Sequence, residues 1–471
     1  MSVLRAGRYW VAAACVMASG GAFADSLEMA LIQAYQNNPQ VNAQRALVRA
    51  TDEAVPQALS GYRPQISASA NYGVQWTDNK TRQQAQQILP GVSTGGIPRR
   101  TSSRTYPAGY GATLTQNVFN GFTTANTTRQ AESQVFAARE TLRVIEQTVL
   151  LDAATVYMNV LQAGAILDLQ RRNVEVIQEQ LRQTRDRFNV GEVTRTDVAQ
   201  AESRVAAAQS QMLTAQANLA TARAAYRRVI GIDPGRLTAG TPVDRRSPRR
   251  LDIAVAQGQA ENPSVTAAEH GVDVAQLQVK VNEGSLYPVV QLVANAQQNH
   301  NTTETAIRGF NASVVGQVTV PIYQGGAEYA LIRQAKETVG QRRLELALNR
   351  DQARANVVQS WAQLDAAKAQ IEATKSQVTA AEIALNGVRE EARVGQRTTL
   401  DVLNAQQELV NARVALVTAQ RDRVVASYTL LSAVGRLNIP TLGLQVPLYD
   451  PMIHYQQVRD SWIGLRTPDG R

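Results

Sequence analysis

The chain is written twice, and that repeat constrains its fold more than any other feature. Leu27 to Pro64 aligns without a gap onto Leu251 to Pro288, at an offset of 224 residues. Asn38-Pro39-x-Val41 falls on Asn262-Pro263-x-Val265, and Pro64 falls on Pro288. Beyond the next loop the offset drops to 204 and holds for more than a hundred residues. There Phe119-Asn120-Gly121 meets Tyr323-Gln324-Gly325, Val190-Gly191 meets Val394-Gly395, Asp197-Val198 meets Asp401-Val402, and Gly231 meets Gly435. The difference of 20 residues lies in the first copy, in the polar stretch from Asp78 to Tyr106, which reads as a longer loop. Self-similarity at a fixed spacing marks a structural unit used twice.

Each copy predicts the same parts: a helix of roughly 35 residues ending near Pro64 or Pro288, two strands, a very long helix, a tight turn and a second helix. No proline interrupts the chain between Pro107 and Pro234 or between Pro321 and Pro440, so nothing breaks the long helices. Val135, Leu142, Val149 and Val156 recur every seven residues. After the turn Val198, Val205, Met212, Leu219 and Tyr226 keep that period, with Ala201, Ala208, Ala215 and Ala222 between them. Val402, Leu409 and Leu416, with Ala405, Ala412, Ala419 and Ala426, repeat the pattern. Alanine along a heptad seam lets helices approach closely, as in coiled-coil packing, and an ordinary soluble bundle shows the same seam. The expected first repeat covers 25–247, with strands at about 65–76 and 110–118 and helices at about 122–189 and 196–231. The second covers 248–435, with strands at about 289–298 and 310–320 and helices at about 326–393 and 399–435, leaving 436–471 as a tail.

The strands alternate. Ile66, Ala68, Ala70, Tyr72, Val74 and Trp76 are separated by Ser67, Ser69, Asn71, Gly73 and Gln75. The pattern recurs at Tyr110, Ala112, Leu114 and Val118, at Val290, Leu292, Ala294 and Ala296, and at Phe310, Ala312, Val314, Val318 and Val320. One apolar and one polar face fits a strand between lipid and water, with aromatic residues near the strand ends as an interfacial belt. A soluble sandwich strand alternates in the same way. Geometry separates the two readings, because four strands cannot close a barrel and about eight are needed. A barrel would therefore be shared with other copies. Residues 122–189 as helix make a rod of roughly 100 Å, and the two shorter helices of each copy, set end to end, match it. Rods of equal length suggest a second barrel, made of helix.

The first residues predict export. Arg5 and Arg8 precede the short apolar run Trp10 to Ala18, and Ala22-Phe23-Ala24 before Asp25 forms an A-x-A cleavage site, making 1–24 a signal peptide cut between Ala24 and Asp25. The one cysteine, Cys15, lies inside it, so lipidation at Cys15 is the competing reading. No later stretch reads as a transmembrane helix, which leaves a soluble periplasmic protein or one that crosses a membrane as β-structure. The net charge of +9 falls to +7 (46 basic, 39 acidic) without Arg5 and Arg8. Those charges are dispersed along helices, apart from Arg245-Arg246-Ser247-Pro248-Arg249-Arg250, and nothing suggests a nucleic-acid partner. His270, His300 and His454 stand far apart in sequence, and no phosphate loop, H-E-x-x-H or G-x-S-x-G motif occurs. No cofactor and no enzymatic activity is expected.

Taken in order, these segments resemble the TolC family of outer-membrane factors over essentially the whole chain. They are the Asn-Pro pairs, Pro64 and Pro288, and the turns at Val118-Phe119-Asn120-Gly121 and Val320 to Gly326. The hairpin turns Arg187-Phe188-Asn189-Val190-Gly191 and Arg393-Val394-Gly395-Gln396-Arg397-Thr398 complete the set. The resemblance implies a mixed α/β membrane protein: a homotrimer with a 12-stranded outer-membrane β-barrel, four strands per chain, continued by a periplasmic barrel of 12 helices. It also implies an equatorial collar from the inter-repeat segment and the tail. It further implies a passive exit duct for an efflux pump or type I secretion system, working with a periplasmic adaptor and an inner-membrane pump. Matched by motif, Asp197 and Arg397 are the closing residues and Asp401 is a carboxylate of the inner constriction. Two positions depart from the family pattern: Asn404 replaces a second carboxylate, and Ala392 replaces a tyrosine of the closing network, a place Arg393 could serve. Asp197 also reads as a helix cap, and the two roles are compatible. The alternative class is a non-channel periplasmic coiled-coil adaptor or structural protein.

Overall fold

A computed structural model describes residues 26–82, 87–89, 92–93, 98–302, 307–468 and 470. The expected signal peptide and its Ala24/Asp25 junction lie outside the described residues. The first copy runs α1 (Leu27–Asn37), α2 (Pro39–Asp52), α3 (Ala54–Leu59), β1 (Gln65–Tyr72), β2 (Gln75–Arg82), β3 (Gln87–Leu89), β4 (Val92–Ser93), β5 (Pro98–Thr105), β6 (Ala108–Asn120), α4 (Thr123–Asn189) and α5 (Arg195–Ile230). The second runs α6 (Leu251–Glu261), α7 (Pro263–Gly284), β7 (Val289–His300), β8 (Arg308–Thr319), α8 (Ala327–Arg393) and α9 (Thr399–Ala433), and is followed by α10 (Ile439–Leu442) and α11 (Pro451–Val458). The fold is mixed α/β and built from two internal repeats.

The chain divides into two compact units, each drawing on both repeats. One comprises residues up to 42, 146–255 and 356–446, and the other comprises 43–145, 256–355 and 447 onward. In the first, Ala254, Val357, Leu364, Leu430 and Val434 form a buried cluster. Tyr157 donates its hydroxyl to the Thr238 carbonyl at 2.7 Å, and the buried Gln147 donates to the Gly435 carbonyl at 2.7 Å. These bonds tie the non-helical segments after α5 and α9 to α4.

The expected 35-residue helices are broken at the Asn-Pro pairs. Proline cannot donate its backbone nitrogen and is best placed at the first turn of a new helix. Asn262 caps α7 by accepting from the Ser264 N–H at 3.0 Å. Asn38 accepts from the Gln40 N–H at 2.8 Å and donates to the Val229 carbonyl at 2.9 Å. One more expectation needs correction. α4 contains an 18-residue window long and apolar enough to cross a membrane by composition, of which 44% is buried within the chain. Its apolar side chains include the buried Val149, Leu150, Ala153 and Tyr157, so packing accounts for the composition.

The second unit holds an antiparallel sheet in the order β1-β6-β7-β8. Its register sorts the side chains into rows. Ile66, Leu114, Ala294 and Val314 stand in one row, and Ala68, Ala112, Ala296 and Ala312 in the next on that face. Between them, on the opposite face, stand Ser67, Thr113, Asn295 and Ser313, then Ser69, Gly111, Gln297 and Asn311. Ile66 and Val314 are 72% and 71% exposed, so the apolar face lies open. β1 and β8 each have one neighbour in the sheet, so each leaves one edge unpaired. A bulge at Val118 shifts the register at the helix end of β6.

The first strand was expected to run to residue 76 and then give way to a loop. Instead β1 stops at Tyr72, and β2 pairs with β5 in a separate two-stranded sheet. The pairing phase is unchanged across the gap, Tyr72 opposing Ala108 and Gln75 opposing Thr105. Pro107 interrupts the ladder because it has no N–H to donate, while its carbonyl still accepts from the Gly73 N–H at 3.0 Å. The longer loop thus prolongs the same hairpin.

The tail from residue 447 onward packs within the second unit through arginine on aromatic rings. Arg45 lies 5.2 Å from the Tyr449 ring centre, Arg139 5.2 Å from that of Tyr455, and Arg63 4.7 Å from that of Trp462. His454 Nδ1 sits 3.0 Å from the carboxylate of the fully buried Asp52, whose pKa burial raises despite His454 and Arg139.

The two-faced rows predict an asymmetric response to charge. Val314→Arg should cost about 2–4 kcal/mol if that face meets lipid, and Ser313→Arg on the other face far less. The yield of folded, membrane-inserted protein measures this, and equal tolerance of the two changes would contradict the assignment of faces.

Candidate constriction site at the helical hairpin turns

Each repeat turns between its long helices with the same local chemistry. In the first, Gly191 adopts φ +81° and its N–H donates to the Phe188 carbonyl, while the Glu192 N–H donates to the Arg187 carbonyl at 2.9 Å. In the second, Gly395 adopts φ +79°, and the Gln396 N–H donates to the Glu391 carbonyl at 2.9 Å. This left-handed closure favours glycine, which has no Cβ to clash.

The helices that follow begin with identical capping boxes. The Thr194 hydroxyl accepts from the Asp197 N–H at 3.3 Å, and the Asp197 carboxylate accepts from the Thr194 N–H at 2.9 Å and hydroxyl at 2.7 Å. Thr398 and Asp401 repeat this at 3.2, 3.0 and 2.8 Å. Both carboxyls are held below their ordinary pKa: Asp197 by the Thr194 hydroxyl and then its N–H, Asp401 by the Thr398 N–H and then its hydroxyl, with Arg397 contributing less. Sequence reasoning singled out the aspartates and missed the threonines, although T-x-x-D before a helix is a legible cap signal.

Each turn also carries an arginine–glutamate pair, in opposite order. Arg187 Nε donates to Glu192 at 3.0 Å, and Arg397 Nε donates to Glu391 at 2.8 Å. The guanidinium of Arg397 is engaged within its own turn, and no hydrogen bond or ion pair of the described residues joins it to Asp197. Asn404, expected to be a neutral position, accepts from Arg204 at 2.7 Å, which places a cation beside it. Arg204 was not foreseen, because its distance of 200 residues from Asn404 hides the contact. Arg393 contacts Glu390 at 3.6 Å, one helical turn back. Ala392 lines an open groove of about 770 Å³, together with Arg187, Glu192, Arg389, Glu390 and Arg393. Behind the turns, Ile177, Ala201 and Leu403 form a small buried cluster against Leu181 and Val205.

A two-faced sheet with open edges, joined to paired long helices that turn on charged, capped tips, defines a channel subunit of the TolC type. The chain belongs to the outer membrane efflux protein family, whose pattern it matches over residues 30–232 and 254–436. It is 42% identical to the outer membrane efflux protein BepC of Brucella suis, an alignment covering 100% of this chain and 99% of that protein. It is 26% identical to the outer membrane protein TolC of Escherichia coli, covering 88% of this chain and 83% of that one. The fold matches the crystal structure of the CmeC outer membrane channel of Campylobacter jejuni with a TM-score of 0.73 at 16% identity, over 92% of this chain and 89% of that chain. The protein resides in the outer membrane.

The capping boxes carry a pH prediction. Asp197 and Asp401 have depressed folded pKa values, so their caps are fully formed above the ordinary carboxylate range and are lost as pH falls through the folded values. Hydrogen-exchange protection of the first turns of α5 and α9, corrected for intrinsic rates, should hold down to about pH 4 and fall only below it. Loss of protection near pH 6 would contradict this. Thr194→Ala should destabilise the start of α5 by about 1 kcal/mol.

Proposed function

We propose that three copies assemble into the passive exit duct of a tripartite efflux pump or type I secretion system. The duct docks to an inner-membrane pump through a periplasmic adaptor. The observation that carries this reading is the four-stranded sheet with two unpaired edges and one exposed apolar face. Four strands per chain become twelve in a trimer, enough to close a barrel around a water-filled lumen. The near full-length relation to an efflux protein supports the same role. No enzymatic step is assigned to the chain, so the energy for export comes from the pump.

In this reading the hairpin tips close the periplasmic end. Asp197 belongs to the closing contact, Asp401 lines the constriction as a ring of carboxylate, and Asn404 with Arg204 makes the next ring less negative than a second carboxylate would. Arg397 holds the closed state by pairing at the tip, with Glu391 in its own turn and with Asp197 of a neighbouring copy. An adaptor that competes for these charges would free the tips to part. The collar is formed by the inter-repeat segment and the C-terminal tail.

Planar-bilayer conductance of the purified protein tests the proposal. The wild type should show a small, cation-selective conductance, and Arg397→Ala should raise it several-fold. An unchanged pore would remove Arg397 from the gate, and a correctly folded protein without conductance would overturn the duct.

A further inference from the structure

The extension of the first hairpin carries chemistry that a connecting loop does not need. The sixteen residues of β2 and β5 hold five cations, Lys80, Arg82, Arg99, Arg100 and Arg104, against one acid, Asp78. Asp78 is spent on Arg100, which donates to it from Nε at 2.8 Å and from an amino group at 2.6 Å. Among the described residues no carboxylate pairs with Lys80, Arg82, Arg99 or Arg104.

Their placement is ordered. Because the pairing phase of β1 and β6 continues into β2 and β5, side chains of even number stay on the face that carries Ile66, Ala68 and Ala70. Along that face, away from the helices, the apolar rows give way to exposed aromatics, Tyr72, Tyr110, Trp76 and Tyr106. The cations follow: Arg104 opposite Trp76, Lys80 opposite Arg100, then Arg82. Lys80 lies about 13 Å along the strand from Trp76. On the second hairpin Arg308 shares this face, at the level of Tyr72. The opposite face of β2 and β5 is made of Gln75, Thr77, Asn79, Thr81, Thr101 and other neutral residues, with Arg99 alone charged. Hydrocarbon, interface and anionic headgroup follow one another in the same order in a membrane leaflet. Cations meant for the lumen would sit on the other face.

We propose that the β2–β5 hairpin is a docking surface for the phosphate groups of the outer-leaflet glycolipid, held by Lys80, Arg82 and Arg104 on the lipid-facing side. This rests on the reading that the apolar face of the sheet meets lipid. Each cation near an anionic membrane surface contributes about a fivefold gain in affinity, screened by salt; Arg104 also lies over the Tyr106 ring, 5.5 Å from its centre. Three together make the contact worth of order a hundredfold at low ionic strength.

The test titrates the detergent-solubilised full-length protein with diphosphoryl lipid A, dephosphorylated lipid A, phosphatidylglycerol and soluble dextran sulfate. The wild type should prefer diphosphoryl lipid A. The triple variant Lys80→Gln, Arg82→Gln, Arg104→Gln should lose about a hundredfold in that affinity, while Arg99→Gln on the other face should lose little. Equal binding by the triple variant, or an equal loss in Arg99→Gln, would overturn the proposal. Equal affinity for phosphatidylglycerol would reduce the surface to a general anionic contact and overturn the glycolipid assignment. A preference for dextran sulfate would replace it with capture of a soluble polyanion. Conductance of the triple variant separates this from failure of the membrane reading, since an intact pore assigns lost binding to the hairpin. If conductance is lost as well, the charge-retaining variant Lys80→Arg, Arg82→Lys, Arg104→Lys decides, and it should keep lipid A binding. Loss of binding there would overturn the proposal.

Discussion

A β-strand at the edge of a sheet leaves a line of N–H and C=O groups without partners, and in a membrane those groups have no water to turn to. The four-stranded sheet has two such edges, on β1 and β8. Its register makes the exposure more costly, because whole rows from Ile66 to Val314 and from Ala68 to Ala312 are apolar on one side and polar on the other. A lone chain therefore presents two open edges and an uncovered apolar face at once. Pairing with further copies would satisfy the edges, and lipid would cover the apolar face.

The helical part makes the same demand in milder form. Along α5 the alanine seam, Ala201, Ala208 and Ala215, is buried within the chain, while Val198, Val205, Met212 and Leu219 remain half-buried. Small residues bring neighbouring helices close, and the second seam is covered only in part, as where Val205 packs against Ile177, Ala201 and Leu403. The tips differ in character. Their helices are stopped by glycine and restarted by threonine–aspartate boxes, and their charges pair across the turns, so each tip is locally satisfied. A contact made of such exposed charges would break without unpacking a core, as the proposed gate requires.

Much of this was legible in the sequence because it depends on periodicity. The repeat, the heptads of α4 and α5 and the alternation around Ala112 and Ala296 are short-range patterns with fixed spacing. What escaped depends on contacts between distant residues or on backbone details. The helix before Pro64 breaks at Asn38-Pro39 because asparagine caps and proline starts a new helix, a local signal outweighed by the continuous apolar pattern. The polar stretch after Asp78 read as a loop, since its Ser, Thr and Arg side chains carry no apolar alternation. It pairs as strands because the β1–β6 hairpin sets its register in advance. Arg204 beside Asn404 could not be seen from either neighbourhood alone. The caps at Thr194 and Thr398 could have been, from the T-x-x-D spacing.

The central claim is that one chain supplies a third of a closed barrel and cannot make a pore alone. The direct measurement is the mass of the membrane-extracted particle by native mass spectrometry, taken on the same preparation whose conductance is recorded. The account predicts that the conducting particle contains three copies and that dissociated single chains carry no current. A conducting particle of one chain would contradict it.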